Sequence, residues 1–191
     1  MTRFLALLLR ALPLIPLLAW AQPDPSIVAK LREGGYVLYF RHASTDFSKN
    51  DQNMKSYEDC ASQRNLTDKG RDEARAIGMH VKRLGIPIGE VYASPFCRTM
   101  ETARLAFGRA TATQEVRGGP ADPKRYDPLR KLLGTTPSKG NAVVSSHGNP
   151  FHAVAGPPYL AEGEMAVVRP EGSSRFTVVD RVRLEDWAAL R

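Results

Sequence analysis

Short apolar runs recur along the chain, and each is followed by a segment with a different period. The run Tyr36–Phe40 is apolar at every position and follows the pair Gly34 and Gly35. A continuous apolar run of this length predicts a β-strand that is covered on both faces. Residues 90–95 and 141–147 predict two further short strands. The apolar pattern therefore predicts a sheet in the interior of the fold.

Helical spacing fills the gaps between these strands. The clearest case is the segment 66–85, in which apolar residues recur every three or four positions after Thr67, a good N-cap, and before Gly85, which ends the pattern. Shorter helices are predicted over about residues 26–33 and 98–107, and another begins near residue 148.

Two regions depart from this alternation. Residues 43–64 are polar and without a period, which predicts a long loop, and loops of this length in compact domains are more often functional than idle. Residues 165–170 and 175–182 predict a terminal hairpin. Because strands that alternate with helices pair in parallel, we predict an α/β layered fold that binds ligands beyond the carboxyl ends of its strands.

The first 21 residues differ in composition from the rest of the chain. They carry Arg3 and Arg10, a leucine-rich stretch and a terminal Ala-Trp-Ala, which predicts a secretory signal peptide cleaved after Ala21. A transmembrane anchor is the alternative, but two prolines and an arginine interrupt a stretch that would need about 20 apolar residues. We therefore predict one mature domain, residues 22–191, in the periplasm or secreted, without stable membrane insertion.

Charge and cysteine content narrow the function classes. The chain of 191 residues has a net charge of +7, and the mature part keeps a moderate positive excess that suits an anionic substrate. Its basic residues are dispersed, which argues against a nucleic-acid-binding protein. Cys60 and Cys97 predict one disulfide in an oxidising compartment, with two unpaired thiols as the alternative. Their spacing does not match a metal site.

Basic side chains follow three of the predicted strands. Arg41 and His42 come directly after the first strand, Arg98 lies one turn beyond the second, and His147 ends the third. We expect these four side chains to meet at one edge of the sheet. Guanidinium groups bind tetrahedral oxyanions in bidentate fashion, and positive surroundings keep an imidazole neutral and nucleophilic. A lone histidine at a strand end is more often structural, so the inference depends on the convergence.

The same residues carry a family resemblance. The stretch Arg41–Thr45 resembles the RHGxT signature of the histidine phosphatase superfamily, with Ala43 where glycine is commonest. LTDKGRDEA resembles the superfamily's LTxxGxxQA segment, SPFCRTMETA its SxxxRxxxTA segment, and SSHGNP its second-histidine motif. The resemblance spans about residues 36–156 in the right order and is nearest to small exported bacterial members of the SixA and Ais types.

The resemblance implies a phosphoglycerate mutase-like fold, which is a three-layer α/β/α sandwich with a mostly parallel central sheet. It implies that His42 is the nucleophile that becomes phosphohistidine, and that Arg41, Arg98 and His147 hold the transferring phosphoryl group. No metal or cofactor is required. The implied function is a phosphatase acting on phosphomonoesters or phosphoramidates, and the alternative is a non-catalytic protein of the same fold that binds phosphate or a phosphosugar.

The remaining site residues are less clearly marked. Members of the superfamily usually protonate the leaving group with a carboxylic acid, for which this chain offers Glu164, Glu115 or Asp122. Glu164 resembles a Gly-Glu pair in the small exported relatives and is our candidate, with a plain strand-edge carboxylate as the alternative. Thr45, Arg64 and Asn149 are the candidate substrate contacts. Arg64 could instead be solvated, and Asn149 could instead cap a helix. The sequence predicts no particular oligomeric state.

Overall fold

The structure is a computed structural model that describes Asp24 and residues 26–119 and 123–191. The predicted signal peptide and the candidate acid Asp122 lie outside the described residues. Within the described ranges, no helix is both long enough and apolar enough to cross a membrane.

Strands and helices alternate as the sequence predicted, and the observed bounds differ by a few residues at most. The strands are β1 Val37–Arg41, β2 Ile88–Ala93, β3 Thr111–Ala112, β4 Asn141–Ser146, β5 Met165–Pro170 and β6 Phe176–Val182. The α-helices are α1 Ile27–Glu33, α2 Asp68–Arg83, α3 Cys97–Phe107, α4 Asp127–Gly134 and α5 Gly148–Ala155. The short helix α4 and the two-residue strand β3 were not predicted.

One six-stranded sheet organises the fold, in the order β3-β2-β4-β1-β5-β6. The first four strands in this order pair in parallel. The hairpin of β5 and β6 adds two antiparallel strands at the other side. Because β2, β4 and β1 are parallel neighbours, their carboxyl ends lie at the same edge of the sheet, as the predicted site requires.

Both faces of the sheet are covered by helices, which confirms the predicted three-layer α/β/α architecture. Strand β1 shows this directly, because its first four side chains are fully buried. Leu38 and Phe40 pack on the side of α1, α2 and α3. Val37 and Tyr39 pack on the opposite side, against α4 and α5. A central strand that is buried on both faces explains why the sequence run is apolar without alternation.

Helix α2 is docked close to the end of β1. Thr67 is its N-cap as predicted, and its hydroxyl oxygen accepts a hydrogen bond from the Gly70 nitrogen at 3.0 Å. A Cβ atom on Gly70 would lie 2.1 Å from the carbonyl oxygen of Ser44. Glycine is therefore needed here so that the helix can approach the loop that follows His42.

Candidate active site

The four strand-end residues predicted to converge do so in the structure. Arg41, His42, Arg98 and His147 line a common cavity of about 430 Å³ at the carboxyl edge of the parallel strands. The remaining lining residues are Arg64, Phe96, Gly118, Gly148, Asn149 and Tyr159. Three guanidinium groups and two imidazoles therefore surround one opening, an arrangement that suits a tetrahedral oxyanion.

His42 is held in a defined orientation at the base of this cavity. Its backbone nitrogen donates to the carbonyl oxygen of Ser146 at 3.0 Å, and its ring Nδ1 lies 3.0 Å from the carbonyl oxygen of Ala43. Because a carbonyl oxygen can only accept, Nδ1 carries the ring proton and Nε2 keeps its lone pair. Burial lowers the pKa of His42 to about 3, and the nearby arginines Arg98 and Arg41 add to this effect. The ring is therefore neutral at neutral pH, with the Nε2 lone pair available.

His147 faces His42 across the cavity. The two ring centroids are 5.5 Å apart. Its Nε2 is 2.9 Å from the hydroxyl oxygen of Ser94, and its backbone carbonyl accepts a hydrogen bond from the Tyr39 hydroxyl at 2.8 Å. Burial, followed by the positive charge of Arg98, lowers the pKa of His147 well below its ordinary value. The second imidazole is thus also neutral and anchored from both sides.

Arg98 is a buried cation in the first turn of α3. Its Nη1 donates to Oδ1 of Asp51 at 3.0 Å and to the carbonyl oxygen of Arg64 at 3.2 Å, and its guanidinium lies over the ring of Phe96. Its Nε is buried without an acceptor among the described residues. A positive charge near the positive end of a helix is unfavourable by itself, so an anion in the cavity would relieve this conflict.

Arg64 supplies a third guanidinium to the cavity. Its carbon Cζ lies 4.6 Å from the ring centre of the exposed Phe47, and its Nε, like that of Arg98, is buried and lacks an acceptor within the described ranges. The structure therefore places Arg64 as a lining residue, which is the less common of the two outcomes that the sequence left open.

Arg41 is oriented by the segment that precedes β5. Its Nη1 donates to the carbonyl oxygen of Leu160 at 2.7 Å, and its Nη2 is 3.6 Å from Oε1 of Glu162. Thr45 does not line the cavity, because its hydroxyl donates to the same Oε1 atom at 2.6 Å. Glu162 was missed by the sequence analysis, although the stretch AEGE offered two acidic residues.

Neither of the two candidate acids that the structure describes, Glu164 and Glu115, lines this cavity. Glu164 is buried elsewhere, with Oε1 accepting from Nε of Arg181 at 2.7 Å and Oε2 accepting from the backbone nitrogen of Ala161 at 2.6 Å. Glu115 is exposed and borders a different cavity. Asp122 lies outside the described residues. The contacts of Glu164 favour the structural alternative, and its predicted catalytic role remains a prediction.

Asn149 lines the cavity from the beginning of α5. The helix begins at Gly148, two residues before Pro150, and His147 is its N-cap. Asn149 is therefore inside the helix rather than its cap, and its side chain also limits position 118, where a Cβ atom would lie 3.0 Å from the Asn149 amide. This placement agrees with a substrate contact.

The motif around Arg98 has a structural explanation. Thr102, one turn further along α3, accepts a hydrogen bond from the backbone nitrogen of Ala43 at 3.2 Å while donating to the carbonyl oxygen of Arg98 at 2.7 Å. Ser94 contacts His147, as described above. Ser94 and Thr102 of the segment SPFCRTMETA therefore contact His147 and Ala43, the residue that follows His42.

Cys60 and Cys97, which are 37 positions apart in sequence, form a disulfide with Cα atoms 5.7 Å apart. This outcome confirms the predicted pairing over the alternative of free thiols. The bond joins the loop 43–64 to the first residue of α3, directly before Arg98. Gln63 reinforces the junction, because its side-chain oxygen accepts from the Cys97 nitrogen at 2.9 Å. The loop that carries Asp51 and Arg64 is thus attached to the helix that carries Arg98.

Among the residues that the structure describes, no three histidine, cysteine or acidic side chains are grouped as a metal ion would need. Arginines and neutral imidazoles are the groups that a substrate would meet.

Comparisons with known proteins agree with this geometry. A family model described as histidine phosphatase superfamily (branch 1) matches residues 37–118. Among solved structures, the chain resembles the protein histidine phosphatase SixA complexed with tungstate, at 21% identity and a TM-score of 0.59, with 79% of this chain and 98% of that chain covered. Among curated protein sequences, none matches the chain.

Two further solved structures share the fold. One is a phosphoserine phosphatase from Entamoeba histolytica in complex with phosphoserine, at 11% identity and a TM-score of 0.53, covering 79% of this chain and 98% of that one. The other is the mycobacterial glucosyl-3-phosphoglycerate phosphatase, at 14% identity and a TM-score of 0.55, covering 76% and 97%. The family model covers the first three of the four motifs, and these solved structures share the fold along most of the chain. The chain is therefore similar to the histidine phosphatase superfamily in both motifs and fold.

Proposed function

We propose that the protein hydrolyses phosphomonoesters or phosphoramidates outside the cytoplasm through a covalent phosphohistidine on His42. One observation carries the proposal: the Nδ1–H of His42 donates to the carbonyl oxygen of Ala43, so the Nε2 lone pair is available within a cavity lined by three guanidinium groups. A neutral imidazole and fixed cationic donors are the two requirements of phosphoryl transfer to histidine.

The first step is an in-line displacement. Nε2 of His42 forms a bond to phosphorus while the bond from phosphorus to the leaving group breaks, and the leaving atom takes the electron pair. Arg41, Arg64 and Arg98 neutralise the negative charge that develops on the phosphoryl oxygens. His147, whose Nε2 lies 2.9 Å from the Ser94 hydroxyl oxygen, faces the same phosphoryl oxygens from the other side of the cavity. Water then attacks the phosphohistidine and releases phosphate.

The lining residues also bear on the substrate class. None of the described side chains around the cavity is a carboxylic acid. An alkoxide leaving group needs a proton early, whereas the nitrogen of a phosphoramidate and the oxygen of an acidic alcohol depart more easily. We therefore propose that phosphoramidates and esters of acidic alcohols are better substrates than simple alkyl phosphates.

The proposed location rests on two independent features. The first 21 residues have the composition of a signal peptide with cleavage after Ala21. A disulfide between Cys60 and Cys97 is compatible with an oxidising compartment such as the periplasm.

The proposal is tested by trapping the intermediate. The mature protein is incubated with a ³²P-labelled phosphodonor and quenched, and we expect acid-labile, base-stable label on His42. The variant His42→Ala should take up no label and should not hydrolyse p-nitrophenyl phosphate. Label at another residue, or full activity of His42→Ala, contradicts the proposal.

A non-catalytic phosphate-binding protein of the same fold is the rival. It predicts that phosphate binds in the cavity with measurable affinity but that no member of a substrate panel is turned over. The panel should contain sugar phosphates, phosphoproteins, phytate, lipopolysaccharide phosphates and phosphoramidate. Turnover of any of them that is abolished in His42→Ala excludes this rival.

A further inference from the structure

Glu162 lies on a short turn that is fastened to the end of β1. The Arg41 nitrogen donates to the carbonyl oxygen of Glu164 at 3.1 Å, and the Gly163 nitrogen donates to the carbonyl oxygen of His42 at 2.9 Å. The residues on either side of the Arg41–His42 peptide bond are thus each hydrogen-bonded to this turn. The position of Glu162 relative to the nucleophile is therefore set by backbone contacts and not by a flexible surface loop.

The carboxylate of Glu162 is directed toward the nucleophile. Its Oε1 is 3.7 Å from Nδ1 of His42 and 3.6 Å from Nη2 of Arg41. Thr45 anchors both oxygens, because its hydroxyl donates to Oε1 at 2.6 Å and its backbone nitrogen donates to Oε2 at 3.2 Å. The Glu162 side chain is only 14% exposed, so water screens its interaction with His42 and Arg41 weakly.

Glu164 has a different task on the same turn. One of its oxygens accepts from the Ala161 nitrogen, and its own nitrogen donates back to the carbonyl oxygen of Ala161 at 3.1 Å. Its other oxygen is paired with Arg181. Glu164 therefore closes the turn from inside, while Glu162 projects from it toward His42.

We infer that Glu162 is a positioning residue that acts through its charge and stabilises the positive charge that the ring of His42 acquires when Nε2 is phosphorylated. This inference rests on the proposed phosphohistidine chemistry. When Nε2 bonds to phosphorus and Nδ1 keeps its proton, the imidazole becomes formally cationic. When water attacks phosphorus and displaces the imidazole, the electron pair of the Nε2–P bond returns to the ring, which becomes neutral again, and phosphate is released.

The attraction between the Glu162 carboxylate and the ring of His42 is stronger in the phosphorylated state than in the resting state. Before attack the ring of His42 is uncharged and interacts with the Glu162 carboxylate only as a dipole. After attack a full positive charge lies a few ångströms from the carboxylate, so the attraction grows along the reaction coordinate. The carbonyl oxygen of Ala43 keeps the tautomer by itself, which limits the cost of losing Glu162. The expected effect is therefore smaller than for loss of a group that sets the tautomer.

The variant Glu162→Gln separates charge from shape. Its amide oxygen can still accept from the Thr45 hydroxyl, but the negative charge is gone. A purely structural role predicts nearly normal kinetics for this variant. The electrostatic role predicts that phosphorylation of His42 by p-nitrophenyl phosphate slows about 10- to 100-fold, with KM and melting temperature almost unchanged. Glu162→Asp keeps the charge and should recover part of the rate.

Glu73→Gln is the matched control. Its side chain is 12% exposed, and its carboxylate accepts a hydrogen bond from the Ser44 nitrogen at 3.0 Å, in the same loop as Thr45. We expect a phosphorylation rate close to that of the unmodified protein. Rapid-quench measurement of the rate of labelling gives the phosphorylation step directly in all four proteins.

The outcomes distinguish this inference from the proposed function. If the unmodified protein takes up no label on His42, the phosphohistidine proposal itself fails. If it is labelled and Glu162→Gln is labelled equally fast, only the role of Glu162 is overturned. Equal slowing in Glu162→Gln and Glu73→Gln also contradicts it, because the effect would then be general to carboxylates of this loop region.

Discussion

Two groups of charged side chains border the segment 158–164, and their hydrogen bonding differs. The Arg181 group consists of Arg181 and Glu164, and the cavity group consists of the arginines that line the cavity, Arg41, Arg64 and Arg98. Around Arg181 every donor nitrogen has an acceptor: Nε donates to Glu164, Nη1 to the carbonyl oxygen of Pro158, and Nη2 to that of Tyr159. In the cavity, Arg64 and Arg98 each have a buried Nε for which the described residues provide no acceptor.

The comparison separates structural cations from functional ones. A guanidinium in which each of the three nitrogens donates to the protein, as in Arg181, is held by the fold and stabilises it. A buried donor without a partner costs about 1–3 kcal/mol, which the fold tolerates where a ligand can use it. Arg117 and Arg125 also have a buried Nε without an acceptor in the part of the chain that the structure describes, but they do not line the cavity. Arg98 and Arg64 combine this feature with a place in the cavity wall, whereas Arg181 supports the backbone turn beside it.

The largest expected effect is on the Arg181 group. Arg181→Met leaves the buried carboxylate of Glu164 without its cation, which typically lowers the free energy of unfolding by about 3–5 kcal/mol. Urea denaturation measures this change. Because the turn keeps its backbone hydrogen bonds to Arg41 and His42, kcat of the folded variant should stay within about tenfold. A variant that is stable but inactive would reverse our assignment.

Loss of the disulfide is expected to lower overall stability and, of the two groups, to disturb the arrangement of the cavity group. The double substitution Cys60→Ser and Cys97→Ser removes a cross-link over a loop of 37 positions, worth about 4 kcal/mol in the chain-entropy model. Loosening the loop that carries Asp51 and Arg64 should also raise KM for a phosphomonoester. Thermal unfolding and steady-state kinetics test both effects. Unchanged melting temperature and activity in reductant would show that the bond does not organise the site.

Arg98→Met tests the cavity group directly. It removes one cationic donor and should lower kcat/KM by about 10²–10³-fold. Its effect on stability should be smaller than that of Arg181→Met, because the half-exposed Asp51 can be hydrated and the unpartnered Nε is removed as well. Denaturation and kinetics measured on the same preparations compare the two arginines. Similar stability losses with no kinetic difference would contradict the distinction.

The last expected effect is a pH dependence of stability, which is small for each pH unit. The folded pKa of His42 is lowered to about 3, below the ordinary value of 6.5, so the unfolded chain binds the proton first. As pH falls from about 6.5 toward 3, His42 should therefore remove about 1.4 kcal/mol of stability per pH unit. Urea denaturation between pH 4 and 7 should show a shallower decline for His42→Asn. Parallel curves for both proteins would mean that His42 titrates normally.

The local pattern predicted most of the fold because buried strands and amphipathic helices follow from hydrophobic periodicity. Helix α2 has one apolar stripe, formed by Ala74, Ile77 and Val81, and a capping threonine, and its prediction was accurate to a few residues. Helix α4 has only Leu129 and Leu133 buried within eight residues, too short a pattern to recognise between turn-forming residues. Strand β3 is two residues long, and it exists because β2 offers an edge for pairing.

The site was predictable where it depends on strand ends and not where it depends on a turn. Arg41, His42, Arg98 and His147 converge because parallel neighbours finish at one edge of a sheet. Glu162 and Glu164 stand two positions apart in one stretch, and nothing in their types or spacing says which faces the nucleophile. The choice depends on Gly163, whose positive φ of 77° reverses the chain direction between them.

The amino-acid sequence by itself determined the layered α/β fold and the cationic edge of the sheet, since these follow from short-range periodicity and from the order of strands. The choice of His42 as the nucleophile comes from the resemblance of the motifs and remains a prediction. Only the tertiary structure decided which donors the protein satisfies internally and which remain for a ligand. Hydrogen-bond partners of buried arginines come from segments far apart in the chain, as Asp51 does for Arg98 and Glu164 for Arg181. Such pairings depend on how the loops pack against the sheet, and local sequence propensity does not predict that packing.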